Sequence, residues 1–232
     1  MALNLEHADA NNGTGVTEID IGTVDVDAPT LEIGELLLVY ASISGNKTAT
    51  VTMGALTLTL VNSQNTGGTQ GVTVSLYRGL SASQISNTVI NIDQGNTSAI
   101  CGRYEIWSGN DTSGTNGSAA VEDNDVGTGT DDAPTVDTDP ISDDVIVSGL
   151  VAHETQDFTI DASYTAGTTD LEAGAGSFIT RLSTGYKSVA SPATTTWDGS
   201  LAGSENWATL AFVIKPAAAG GTTAPHYYYA QQ

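Results

Sequence analysis

The stretch Ser98-Ala-Ile-Cys-Gly-Arg-Tyr-Glu-Ile-Trp-Ser-Gly109 limits the fold more than any other part of the chain. Ile100, Gly102, Tyr104 and Ile106 fall on one side of an extended segment and Arg103 and Glu105 on the other. This is the period-two pattern of a half-buried strand, and it predicts a central core strand. Ser108-Gly109-Asn110-Asp111 ends it with a run of turn formers. The other apolar segments also lack helical spacing. Leu36 to Tyr40 is apolar on both faces, as a strand covered on both sides must be. Leu56, Leu58 and Leu60 alternate with Thr57 and Thr59 and read as inward-facing, and this run and Val72 to Leu76 predict a hairpin around Gly67-Gly68. Val145 to Val151 and Trp207 to Ile214 are two further buried strands.

Turn signals separate these segments at the spacing of a β-sandwich. The chain has 232 residues and 26 glycines, and it shows no internal repeat in its sequence. The expectation is therefore an all-β protein, a jelly-roll-like antiparallel β-sandwich with extended N- and C-terminal arms and a single core that encloses Leu58, Val74, Tyr104, Ile146 and Leu210. Residues 1–15 read as an N-terminal arm, 16–216 as the sandwich domain, and 217–232 as a linker and aromatic C-terminal tail.

Twenty-seven Asp and Glu against six Lys and Arg give a formal net charge of −21. A nucleic-acid partner needs a basic face, which this balance excludes as an expectation. The N-terminal residues have neither the basic start nor the apolar run of a secretion signal, and no stretch approaches membrane-spanning length, so no membrane partner is expected. The single cysteine, Cys101, falls in the core strand and reads as a buried thiol. His153-Glu154 near Asp157 can be drawn as an acid/base group, but acids are so numerous that the signal is slight. Residues 113–140 read as a long solvated acidic loop. Asp123, Asp125, Asp131 and Asp132 are its candidate Ca²⁺ ligands, although the third spaced acid and distal Glu of an EF-hand are missing. No cofactor and no enzymatic activity are expected. Trp107, Trp197 and Tyr164 are candidate glycan contacts, because exposed aromatic rings stack on sugars. Tyr227, Tyr228 and Tyr229, with Pro225 stiffening the approach, are candidate assembly contacts, because three adjacent rings gain free energy only when buried.

Several pieces together resemble a family of Gly/Thr-rich β-sandwich domains of tailed-phage virion proteins and bacterial surface proteins. They are Gly34-Glu-Leu-Leu-Leu-Val39, Val74-Ser-Leu-Tyr-Arg78, Glu105-Ile-Trp-Ser-Gly-Asn-Asp111, Ala133-Pro-Thr-Val136, Asp144-Val-Ile-Val147 and Trp207 to Pro216. Met53-Gly54-Ala55-Leu56 stands where that family often has a Pro-x-Gly-Trp turn. The resemblance implies a non-enzymatic virion structural protein, a capsid decoration or tail appendage subunit that contacts copies of itself and other virion proteins and is assembled in the host cytoplasm. The alternatives are a receptor- or glycan-binding module that meets a host-surface glycan, such as a tail-fibre adhesin, and a bacterial surface-layer or filament subunit.

Overall fold

The computed structural model describes residues 2–22, 28–67, 71–174 and 179–218, and within them the chain is an all-β, antiparallel sandwich. Its first half contains β1 (Asn4–Ile21), β2 (Leu36–Ser44), β3 (Thr50–Met53), β4 (Leu56–Thr57), β5 (Thr59–Asn65), β6 (Val72–Leu80) and β7 (Ile90–Ser108). A short 3-10 turn, Ser118–Ala120, leads into the second half. That half contains β8 (Val121–Gly129), β9 (Thr135–Thr138), β10 (Val145–His153), β11 (Phe158–Ile160), β12 (Thr165–Ala173), β13 (Thr180–Val189), β14 (Thr195–Leu201) and β15 (Trp207–Ile214).

The two halves share one topology. In the first, the main sheet runs β5-β6-β2-β7-β1, with the late part of β7 paired to β2 on one side and the early part of β1 on the other. In the second it runs β12-β13-β10-β15-β8. The remaining strands also correspond. The early part of β7, Ile90–Asp93, lies between β3 and the late part of β1, as β14 lies between β11 and β9. Where β1 and β7 each turn a corner, the second half breaks into separate strands.

Those corners follow from local sequence. Gly95 and Gly15 take left-handed backbone angles, φ 74° and 67°. The β1–β7 register slips twice around Val16, and such bulges bend a strand and increase its twist. The bend folds the far end of the ribbon over its own sheet. Ile19, Ile21, Ile90 and Ile92 thus join Val39, Ile100, Tyr104 and Ile106 in one apolar cluster. Gly102 makes room for this, since a Cβ there would lie 2.9 Å from Ile21 Cδ1 and 3.0 Å from Ile19 Cδ1. In the second half, Trp197 on β14 lies over Gly149 on β10, within a cluster that includes Val147, Phe158 and Val213.

The opposite faces of the two main sheets pack on each other through a third cluster, which includes Leu36, Tyr40, Val74 and Leu76 from one half and Ile146, Leu150, Leu210 and Phe212 from the other. This explains the doubly apolar β2, β10 and β15, every residue of which is buried. Each carries one face to the shared layer and the other to its own half's cluster.

Five expectations need correction. The core is three clusters: Val74, Ile146 and Leu210 lie between the halves, whereas Leu58 and Tyr104 lie on the far side of the first sheet. Most of the expected N-terminal arm is β1, an edge strand whose polar composition reflects its place at the sheet margin. The expected acidic loop contains β8, hydrogen-bonded to β15, and β9, hydrogen-bonded to β14. Leu60 is 41% exposed, because the β5–β6 register slips between Leu60 and Asn62 and the alternation does not run through. Arg103 and Glu105 face the shared inter-sheet layer.

Because a Cβ on Gly149 would sit 2.6 Å from Cε2 of the rigid Trp197 indole, Gly149→Ala should lower stability by about 1–3 kcal/mol, the usual cost of overpacking. Urea unfolding measures this, and a midpoint equal to that of the parent would contradict the close approach.

Candidate functional site

The aromatic residues expected to contact glycan are all packed inside. Trp107 is 1% exposed, meets Tyr186 edge-on at 5.4 Å and donates its indole N–H to Glu105 Oε2 at 3.0 Å. Trp197 is buried and donates to Thr209 Oγ1 at 2.9 Å. Tyr164 is buried edge-on against Trp197 at 5.0 Å, and its hydroxyl donates to the Thr196 carbonyl. None offers a free ring face to a sugar, so the sequence expectation is corrected. A buried aromatic and a ligand-stacking aromatic leave the same mark in a sequence.

The candidate calcium ligands are not gathered on one centre. Asp123 accepts from the Asp139 amide at 2.8 Å. Asp125 is exposed on β8. Asp131 accepts from the Trp207 indole at 2.9 Å and the Ala133 amide at 3.1 Å, and the indole N–H bond is the main reason its pKa is lowered. Asp132 uses its carbonyl to accept from Leu201 N. Among the described residues no three His, Cys, Asp or Glu side chains come together as a metal site. Pro225, Tyr227, Tyr228 and Tyr229 lie outside the described residues.

Two buried polar groups do assemble, and the sequence pattern concealed both. The first lies in the layer between the halves. Glu105, 1% exposed, accepts from Arg103 Nε at 3.1 Å, Tyr40 Oη at 2.7 Å and Trp107 Nε1 at 3.0 Å, and Arg103 Nη2 lies 3.1 Å from its Oε1. Burial, and then the charge of Glu105, push the Tyr40 phenol well above its usual pKa. Tyr40 therefore stays a donor, and the carboxylate is satisfied at both oxygens. Nearby, Cys101 is fully buried and its Sγ donates to the Leu171 carbonyl at 3.0 Å. Burial raises its pKa far beyond the range of a reactive thiol.

The second group surrounds His153 at the end of β10. The register that aligns Leu36 with Ile146 aligns Ile43 with His153, so the second half has an imidazole where the first has a hydrocarbon. It is completely buried, with Nε2 3.3 Å from Asp170 Oδ1 and Nδ1 3.3 Å from Glu205 Oε1. The partners are these acids, rather than Glu154 or Asp157. Ring and carboxylates are at ion-pair distance without hydrogen-bond alignment. Glu205 is held by the amides of Glu154, Thr155 and Gln156, and Asp170 accepts from the Phe158 amide at 3.0 Å. Burial alone would lower the imidazole pKa, but Asp170 and Glu205 outweigh it and raise the value above 6.5. Burial likewise works to raise the two carboxyls, but His153 and the backbone donors hold both below their usual range. Both groups tie layers or strand ends together.

No family model, curated protein or solved structure matched the chain.

Removing one partner from a buried ion pair strands the other charge. Glu105→Ala should therefore cost about 3–5 kcal/mol, whereas the double replacement Arg103→Met with Glu105→Leu should recover most of that loss. Chemical denaturation of the three proteins decides it, and equal losses in the single and double variants would contradict the arrangement.

The His153 group sets a pH window. The imidazole pKa is raised on folding, so its contribution is complete below the unfolded value of about 6.5. It is lost as pH rises through the higher folded value. The Asp170 and Glu205 pKa values are depressed, so their contributions are present above about pH 4 and lost as pH falls through the lower folded values. Thermal melts should show His153→Phe losing most stability, relative to the parent, at mildly acidic pH and less at pH 9. A pH-independent difference would contradict a charged imidazole.

Proposed function

We propose that the chain is a non-enzymatic virion structural protein, a capsid decoration or tail appendage subunit that assembles with copies of itself and other virion proteins. The observation that carries this reading is the use of the buried polar groups. Glu105, Arg103 and Tyr40 hold two sheets together, and His153, Asp170 and Glu205 fasten strand ends, so the interior chemistry serves rigidity. Rigid sandwiches suit a particle surface, and the resemblance of the strand segments to Gly/Thr-rich virion sandwich domains points the same way. The net charge of −21 keeps free subunits apart at low ionic strength. Pro225, Tyr227, Tyr228 and Tyr229 are the proposed assembly contacts. The glycan-binding alternative loses its three aromatic candidates to burial.

Gold-labelled antibody against the folded protein, applied to native particles, should mark repeated positions on a head or tail. Label confined to the envelope of the host cell would overturn the reading in favour of a surface-layer or filament subunit.

A further inference from the structure

The apolar cluster on the far side of the first sheet encloses two polar side chains that it does not satisfy. Ile90, Ile92 and Gln94 alternate along β7 towards this cluster, and both isoleucines belong to it. Gln94 is 8% exposed, and among the described residues neither its Oε1 nor its Nε2 has a hydrogen-bond partner. On β6, Val74 and Leu76 face the layer between the halves, so Ser75 and Tyr77 face the far side. Ser75 is completely buried, and its hydroxyl also lacks a partner among the described residues. Folded proteins leave few buried polar groups unbonded, and where the chain offers no partner an ordered water supplies one.

The register brings the two side chains to one place. Thr50 on β3 opposes Asp93, which sets Ala49 beside Gln94 just before the corner at Gly95. Ala49 N donates to Tyr77 Oη at 2.9 Å, and Ser75 lies beside that hydroxyl without meeting it in hydrogen-bond geometry. Lys47 N donates to Thr73 Oγ1 at 3.2 Å. The connection from β2 to β3 thus crosses β6 over the column Thr73, Ser75 and Tyr77. It is fastened to the first and last of these, and Ser75 between them is left unbonded.

The surroundings limit what could satisfy these groups. Every residue of the apolar cluster is Ile, Leu, Val, Ala, Met or Tyr, so no charged side chain belongs to it and the ligand must be small and neutral.

We propose that the first half holds an internal water molecule that joins the Gln94 amide to the Ser75 hydroxyl. Gln94 offers two N–H donors and a carbonyl acceptor, and Ser75 a donor and an acceptor, so one water can accept from Gln94 Nε2 and donate to Ser75 Oγ. The water explains why a glutamine stands where Ile90 and Ile92 set an apolar pattern, because an amide buried without a partner is costly. It also gives the crossing its middle tie, between the bonds to Thr73 and Tyr77.

The test is water–protein cross-relaxation in the full ¹⁵N-labelled chain, with the Gln94 side-chain amide assigned by its disappearance in Gln94→Met. In the parent protein its Nε2 protons should show cross-peaks at the water frequency, with opposite signs in NOESY and ROESY spectra, the pattern of contact with a held water. Absence of these peaks, or the equal signs of proton exchange, would overturn the proposal. Relaxation dispersion of ¹⁷O in the solvent counts long-lived waters directly. Gln94→Met, which is close in size, should lower that count by one, Ser75→Ala should do the same, and the double variant should lose no more than either alone. An unchanged count in a single variant, or a further loss in the double variant, would overturn a water shared by the two side chains.

Discussion

The apolar layer between the two halves is the constraint on which the rest of the structure depends. Each main sheet folds its far end back to cover one of its faces, and the other face can leave water only against the other half. Leu36, Tyr40, Leu76, Leu150, Leu210 and Phe212 are all completely buried in that layer. A side chain of this size gains about 1.5–3 kcal/mol on full burial, so losing this layer would remove a large part of the apolar burial that offsets the conformational entropy of folding. Glu105 lies in the same layer, and a shifted packing of the sheets would separate it from Tyr40 or Trp107, leaving a buried carboxylate short of donors. Hydrophobic area supplies the attraction, and the ion pair penalises other registers.

The margins of the sandwich are tied by polar side chains. Thr14 on β1 accepts from the Gly174 amide at 2.7 Å, just past the end of β12, and Asn62 on β5 donates to Asn124 on β8 at 2.8 Å. Because β1 corresponds to β8 and β5 to β12, the two ties are equivalent corners of one arrangement. The carboxylates of Glu122, Asp123 and Asp125 on β8 add charge to an edge that would otherwise invite pairing with another sheet. An all-β chain meant to sit beside many copies of itself needs such control of its edges, which accords with the proposed particle role.

Much of this was legible in the sequence where one face of a strand is apolar. The late part of β7, the doubly apolar β2, β10 and β15, and the β5–β6 hairpin all follow from period and turn residues. The early part of β1, and β8, were not legible, because an edge strand partnered on one side needs few apolar residues and is written in Asn, Gly, Asp and Glu. Arg103 and Glu105 were misplaced for a related reason: a buried ion pair and a water-facing charged pair have the same alternation, and only the opposite sheet distinguishes them. The sequence sets His153 beside Glu154 and Asp157, but its partners lie 17 and 52 residues away in sequence, on β12 and in the corner before β15. The duplication was hidden because the halves share strand order and burial rather than residues: Glu105 stands at the position of Phe212, and Ile43 at that of His153.

Fragment complementation tests the account at its centre. Residues 1–120 and 121–232, produced separately, should each fail to give a cooperative thermal transition, because each would expose one whole apolar sheet face. Mixed at equal concentration, they should recover the β spectrum and the transition of the intact chain. A cooperative, monomeric fold from either fragment alone would contradict the shared layer as the source of stability.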